Sequence, residues 1–165
     1  MNIAHTRYLI FFLALFVFAG CKRDTIGLGR MTVEAFGETH RDLSDAHFEY
    51  MHEEDLEVIN IQVVNPEKIT FALNFIGQGE GSIGEGVYKG DTTGLPVPLT
   101  CSAVMVYDEV NSYQSYDGTA TIFNFDTIRS EFSGDFQMEM YNLANPSEHV
   151  TVSGRFTDVI LLSFE

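Results

Sequence analysis

Basic side chains are scarce in this chain of 165 residues: nine Lys and Arg stand against 24 Asp and Glu, a formal net charge of −15. From residue 31 onward the balance is five basic to 23 acidic. Such a surface repels phosphate backbones and anionic headgroups, which excludes nucleic acid as a partner. Cysteine is nearly absent, with Cys21 and Cys101 alone. Cys101 lies in the apolar stretch Leu99-Thr100-Cys101-Ser102-Ala103-Val104 and reads as a small buried hydrophobe rather than a nucleophile. No hydrophobic run reaches the roughly 20 residues that a membrane-spanning helix needs. Beyond residue 30 no stretch sustains helical periodicity, which excludes a helix bundle. Catalytic signatures are missing as well: there is no H-E-x-x-H and no nucleophile elbow. Among so many carboxylates, no acid–base pair stands out from chance. The expectation is a non-enzymatic protein without a cofactor.

What is present starts at the N-terminus. Residues 1–7 are polar and carry His5 and Arg7, and residues 8–20 are apolar and uncharged. A basic start, a short apolar run and small residues after it fit a signal peptide. The run ends in Phe18-Ala19-Gly20-Cys21, which resembles the lipobox of bacterial lipoprotein signal peptides. That resemblance implies diacylation of the Cys21 thiol and cleavage between Gly20 and Cys21, with Ala19 and Gly20 as the cleavage flank. Phe18 stands where the family usually has leucine. Two other readings stay open, namely cleavage after Ala19 with Cys21 incidental, and an uncleaved short anchor. Lys22, rather than aspartate, follows the cysteine, which in that family points to the outer membrane. Several acyl chains, palmitate among them, hold a protein to a bilayer where one does not. Lys22, Arg23 and Arg30 would add weak attraction to anionic headgroups. The organisation expected is a signal peptide at 1–20, a lipidated cysteine and tether at 21–30, and a single domain at 31–165.

That domain reads as all-β. In residues 130–141, Phe132, Gly134, Phe136, Met138 and Met140 alternate with Glu131, Ser133, Asp135, Gln137 and Glu139, a period of two. Val150, Val152, Gly154 and Phe156 alternate likewise with Thr151, Ser153, Arg155 and Thr157. Ile69, Phe71, Leu73 and Phe75 form a third such strand, and the β-branched run 56–64 pairs with it across Asn65-Pro66-Glu67. Weaker strands are expected at 31–37, 46–51, 86–89, 101–107 and 119–125, with turns at 77–86, 91–98, 111–118 and 142–148. About eight or nine strands with polar connections predict an antiparallel β-sandwich or small barrel. The acidic outward faces exclude an outer-membrane barrel, whose outside must be apolar. Inward glycines at 134 and 154 relieve crowding or allow a bend.

Gly118-Thr119-Ala120-Thr121-Ile122, Phe132-Ser133-Gly134-Asp135-Phe136 and Val150-Thr151-Val152-Ser153-Gly154-Arg155-Phe156 resemble the C-terminal half of small Bacteroidota-type envelope lipoproteins. The likeness covers roughly residues 80–162. It implies a β-rich fold and an envelope location, and no reaction.

Three segments carry candidate chemistry. Gly79-Glu80-Gly81-Ser82-Ile83-Gly84 spells G-x-G-x-x-G, but a strand-like segment follows where dinucleotide binding needs a helix N-terminus, so a hairpin loop is expected. Residues 38–57 hold His40, His47 and His52 among eight acidic residues. His47 and Glu49 would share one face of a strand, and with His52 they are weak metal candidates. The plainer reading of that stretch is a solvated acidic connection. Tyr107, Tyr113 and Tyr116 lie in or beside a polar loop, where aromatic rings next to Asn, Gln and Asp suit a glycan or other small ligand. A hairpin whose tyrosines cover the core edge is the plainer alternative. Phe71, Phe75, Phe123, Phe125, Phe132, Phe136, Met138 and Met140 could line either a solid core or a pocket for a small apolar ligand. The leading expectation is therefore a lipid-anchored envelope protein that binds a ligand or serves a partner protein. A calycin-like carrier of an apolar ligand and an envelope hydrolase are the alternatives.

Overall fold

The computed structural model describes residues 29–51, 55–65, 69–79, 81–91, 99–108, 110–126, 129 and 131–163, with the side chains of 41–51, 64–65 and 161–163 outside that description. The expected signal peptide, Cys21 and most of the tether lie outside the described residues.

The described chain is all-β. Nine strands follow one another: β1 (Gly29–Ala35), β2 (Glu38–Met51), β3 (Leu56–Asn65), β4 (Ile69–Gln78), β5 (Gly86–Gly90), β6 (Thr100–Val106), β7 (Ser112–Asp126), β8 (Glu131–Asn142) and β9 (His149–Ser163). They form one sheet in the order β1-β2-β3-β4-β6-β5-β7-β8-β9, and β1 pairs antiparallel with β9 to close it into a barrel. Of the two architectures expected, the barrel is the one found. The pairing is mixed rather than purely antiparallel. β5 runs parallel to β6 through Lys89↔Thr100 and Gly90↔Cys101, and the end of β9 runs parallel to β2.

Period-two burial produces the interior. Phe132, Phe136, Met138 and Met140 of β8 and Val152 and Phe156 of β9 are buried on one face, as their alternation requires. Phe71 stacks on Phe136 with ring centroids 5.0 Å apart, and Phe75 meets Tyr88 at 5.0 Å and Phe156 at 5.9 Å. Phe132 meets Phe156 at 5.5 Å. These rings fill the centre of the barrel in tilted and stacked pairs of the kind aromatic quadrupoles favour. Gly134 pairs across the strands with Phe156, and Phe136 with Gly154. A Cβ at either glycine would run into the ring of its partner phenylalanine and into a backbone carbonyl, that of Thr121 or Thr32. The glycines are the space into which the two rings fold.

Several boundaries differ from expectation. The stretch read as an acidic connection contains β2, whose backbone pairs with β1, β3 and β9. Three partners give it a ladder that begins well before the strand expected at 46–51, in the part whose acidic composition hid it. All but the first residue of the turn expected at 111–118 belongs to β7; the chain turns earlier, around Asp108, whose carboxylate accepts from the amides of Val110 and Asn111 and from the Asn111 side chain. Those three donors hold the Asp108 carboxyl below its ordinary range. Strand β1 ends at Ala35, and a two-residue hairpin takes Phe36 and Gly37, both with positive φ. Strand β4 is buried on both faces between Phe71 and Gly77. Its outward Asn74 is buried within a polar ladder, accepting from Asn60 at 2.6 Å and donating to Ser102 at 3.4 Å.

Candidate functional site

Cys21, Ala19, Gly20 and His52 lie outside the described residues, as do the side chains of His47 and Glu49. Among the described residues no three His, Cys, Asp or Glu side chains are grouped to hold a metal ion. Cys101 is fully buried in β6 and its thiol donates to the Tyr88 carbonyl at 3.3 Å. Burial pushes its pKa up to about 12, so the nucleophilic thiolate is suppressed.

The three tyrosines do not converge. Tyr113 points inward and is 2% exposed, and its hydroxyl donates to Glu148 at 2.5 Å. Burial first, and then the Glu148 carboxylate, raise its pKa to about 12. Asn142 donates to both Glu148 and Asn111, tying the ends of β6–β7 and β8–β9 together. Tyr107 is half-buried at the same end, and Phe36 joins the two tyrosines, 4.8 Å from Tyr107 and 5.4 Å from Tyr113. Tyr116 lies three residues beyond Tyr113 on the opposite face, beside a register shift between Ser115 and Asp117. It packs on Tyr141 and His149 instead.

The glycine loop after β4 has its own anion. Glu57 of β3 is 4% exposed and accepts from the amides of Gly81 and Ile83 and from the Ser82 hydroxyl, at 2.9, 2.6 and 3.1 Å. Successive backbone N–H groups of this kind form a nest that suits an anion. A phosphate would need those same donors, and here a carboxylate of the chain holds them. Gly84 exchanges hydrogen bonds with the Tyr88 hydroxyl, which clips the far side of the loop to β5.

An open set of polar groups lies elsewhere, on the outside of β1, β9, β8 and β7. Strand register assembles it as two rows. Thr32, Arg155, Asp135 and Thr121 stand side by side across the four strands, and Glu34, Ser153, Gln137 and Thr119 stand beside them. Seven of these residues line a shallow concavity of about 530 Å³ above Gly154 and Phe136, Thr121 being the exception. None of the seven side chains hydrogen-bonds or ion-pairs with another group among the described residues. The contrast with the neighbouring row is sharp, because there Thr151 donates to Glu139. Asp135 and Arg155 are direct cross-strand neighbours, yet the guanidinium lies over the Phe123 ring, 6.0 Å from its centroid. Phe123 is 50% exposed, because a register shift between Ile122 and Asn124 turns it out of the barrel. It therefore does not line the interior as its spacing suggested.

Alternation in the sequence marks Asp135, Gln137, Ser153 and Arg155 as outward-facing. Their meeting with Thr32, Glu34 and Thr119 depends on pairings between distant strands, for which no local signal exists. The chain matches no protein-family model, no curated protein and no solved structure.

Proposed function

We propose that this chain is a non-enzymatic binding protein of the bacterial cell envelope, held to the outer membrane by lipid on Cys21. Its ligand is taken on the outer face of β1, β9, β8 and β7. The observation that carries the binding reading is the set of seven polar side chains gathered over one concavity, none of which makes a hydrogen bond or ion pair with another group among the described residues. Glu57, Asn74 and Tyr113, by contrast, have their buried polar groups hydrogen-bonded within the barrel. The ring-filled interior supports a binding surface on the outside rather than a pocket within. The deeply buried thiol of Cys101 supports the non-enzymatic reading. Phe18-Ala19-Gly20-Cys21 and the likeness to small envelope lipoproteins support the anchor.

The anchor is tested by detergent phase separation of the chain expressed in a bacterial host, with mass spectrometry of the N-terminal peptide. The native chain is expected in the detergent phase with an acylated Cys21, and Cys21→Ser in the aqueous phase. Equal partition of the two overturns the anchor.

A further inference from the structure

We infer that the outer concavity over β1, β9, β8 and β7 is a carbohydrate site that takes a neutral oligosaccharide. This rests on the reading of that face as the binding surface and names its ligand. The unengaged groups are mixed in kind. Glu34 and Asp135 only accept, Arg155 only donates, and Thr119, Gln137 and Ser153 do both. A ligand matched to them must offer donors and acceptors at short intervals in two dimensions. Neighbouring strands place same-face side chains about 4.8 Å apart, and alternate residues of one strand about 6.8 Å apart. A chain of sugar rings carries hydroxyls, each both donor and acceptor, over a surface of that grain.

Other ligand classes fit less well. A fatty ligand would cover seven polar groups and satisfy none, at a cost that grows with each one. An extended peptide adds to a sheet through an unpaired edge, and these four strands are each paired on both sides. An anionic polymer would meet two carboxylates for one guanidinium, on a chain of net charge −15. Phe123 supplies what a sugar adds to its hydroxyls, an apolar ring face. It stands half-exposed at the margin with Arg155 over it, so one residue fixes the ring and offers donors beside it.

The test uses the full lipidated chain in a detergent without a sugar headgroup. It is titrated with cellohexaose, maltohexaose, mannohexaose and chitohexaose, with polygalacturonate as the charged control, and followed by calorimetry. Binding of at least one neutral hexasaccharide is expected, weakened about tenfold or more in Arg155→Ala and in Gln137→Ala, the loss of one hydrogen bond to a charged or well-placed group. Phe123→Ala is expected to weaken it severalfold, while Tyr116→Ala, on a different part of the outer surface, leaves it unchanged. All four residues are surface positions, so unaltered melting of each variant shows that the fold is intact. Failure of every neutral hexasaccharide to bind overturns the inference. So does binding that survives both Arg155→Ala and Gln137→Ala, or binding of polygalacturonate alone. Detergent partition of Cys21→Ser is read separately, so the anchor and the sugar site stand or fall independently.

Discussion

Residue by residue, most interior polar atoms of this barrel are accounted for, and His40 is the clearest exception. Its side chain is buried opposite Val33, and neither ring nitrogen has a hydrogen-bond partner among the described residues. The nearest carboxylate, Glu38, is 4.0 Å away and mostly exposed, which makes it a weak partner. An unsatisfied buried polar group costs about 1–3 kcal/mol. His40→Leu should therefore raise the urea midpoint, by about 1 kcal/mol in stability once some misfit of shape is allowed for. A lower midpoint would show that the imidazole is stabilising. Tyr113 predicts a pH dependence. Its hydroxyl keeps its proton to about pH 12 in the barrel, against 10 for a free tyrosine. Between those values the folded chain holds a proton that the unfolded chain has released, so stability falls as pH rises through that window. Melting temperatures of the native chain should drop there more steeply than those of Tyr113→Phe. Parallel curves would mean that Tyr113 does not hold its proton in this way.

Among the elements, β8 and β9 carry the sharpest local requirement. Gly134→Ala and Gly154→Ala each push a methyl group into a phenylalanine ring and a neighbouring carbonyl. Each is expected to cost about 1–3 kcal/mol by overpacking, measured by denaturant unfolding. Combining Gly154→Ala with Phe136→Leu should cost less than the sum of the two, since the second change vacates the space the first invades. The loop between β4 and β5 gives another test. Glu57→Ala removes the acceptor of the Gly81 and Ile83 amides, whose hydrogen exchange should accelerate while that of the β8 amides stays slow. These same strands were the ones legible in the sequence. Strict alternation marked β4, β8 and β9, and β-branched density marked β3. The first half of β2, before the strand expected at 46–51, and the start of β7 were illegible for opposite reasons. Acidic residues made β2 look solvated, whereas pairing with three strands decides its conformation. Asn111, Ser112, Asp117 and Gly118 signal a turn, but β7 uses Asp117 and Gly118 at a register shift within the strand. The site suffered from the same blindness to register. Its outward residues could be read off singly, but their grouping could not.

At the scale of the molecule, closure depends on the two ends of the domain meeting. β1 pairs with β9, so the final contacts span nearly the whole described sequence. Topology of this kind folds slowly, on the order of milliseconds to seconds. Stopped-flow refolding within microseconds would contradict it. Closure also has an arithmetic. Around a ring, strands can alternate up and down throughout only if their number is even. Nine is odd, so somewhere two neighbours must point the same way. In the ring order that mismatch falls between β5 and β6, where only two residue pairs form, and beyond the end of β1 the end of β9 also runs parallel to β2. Ser115 spans part of the gap by accepting from the Ala103 amide, and the Cys101 thiol reaches the Tyr88 carbonyl. Parity alone thus gives the wall a seam at β5 and β6, stitched by side chains where the backbone ladder runs short.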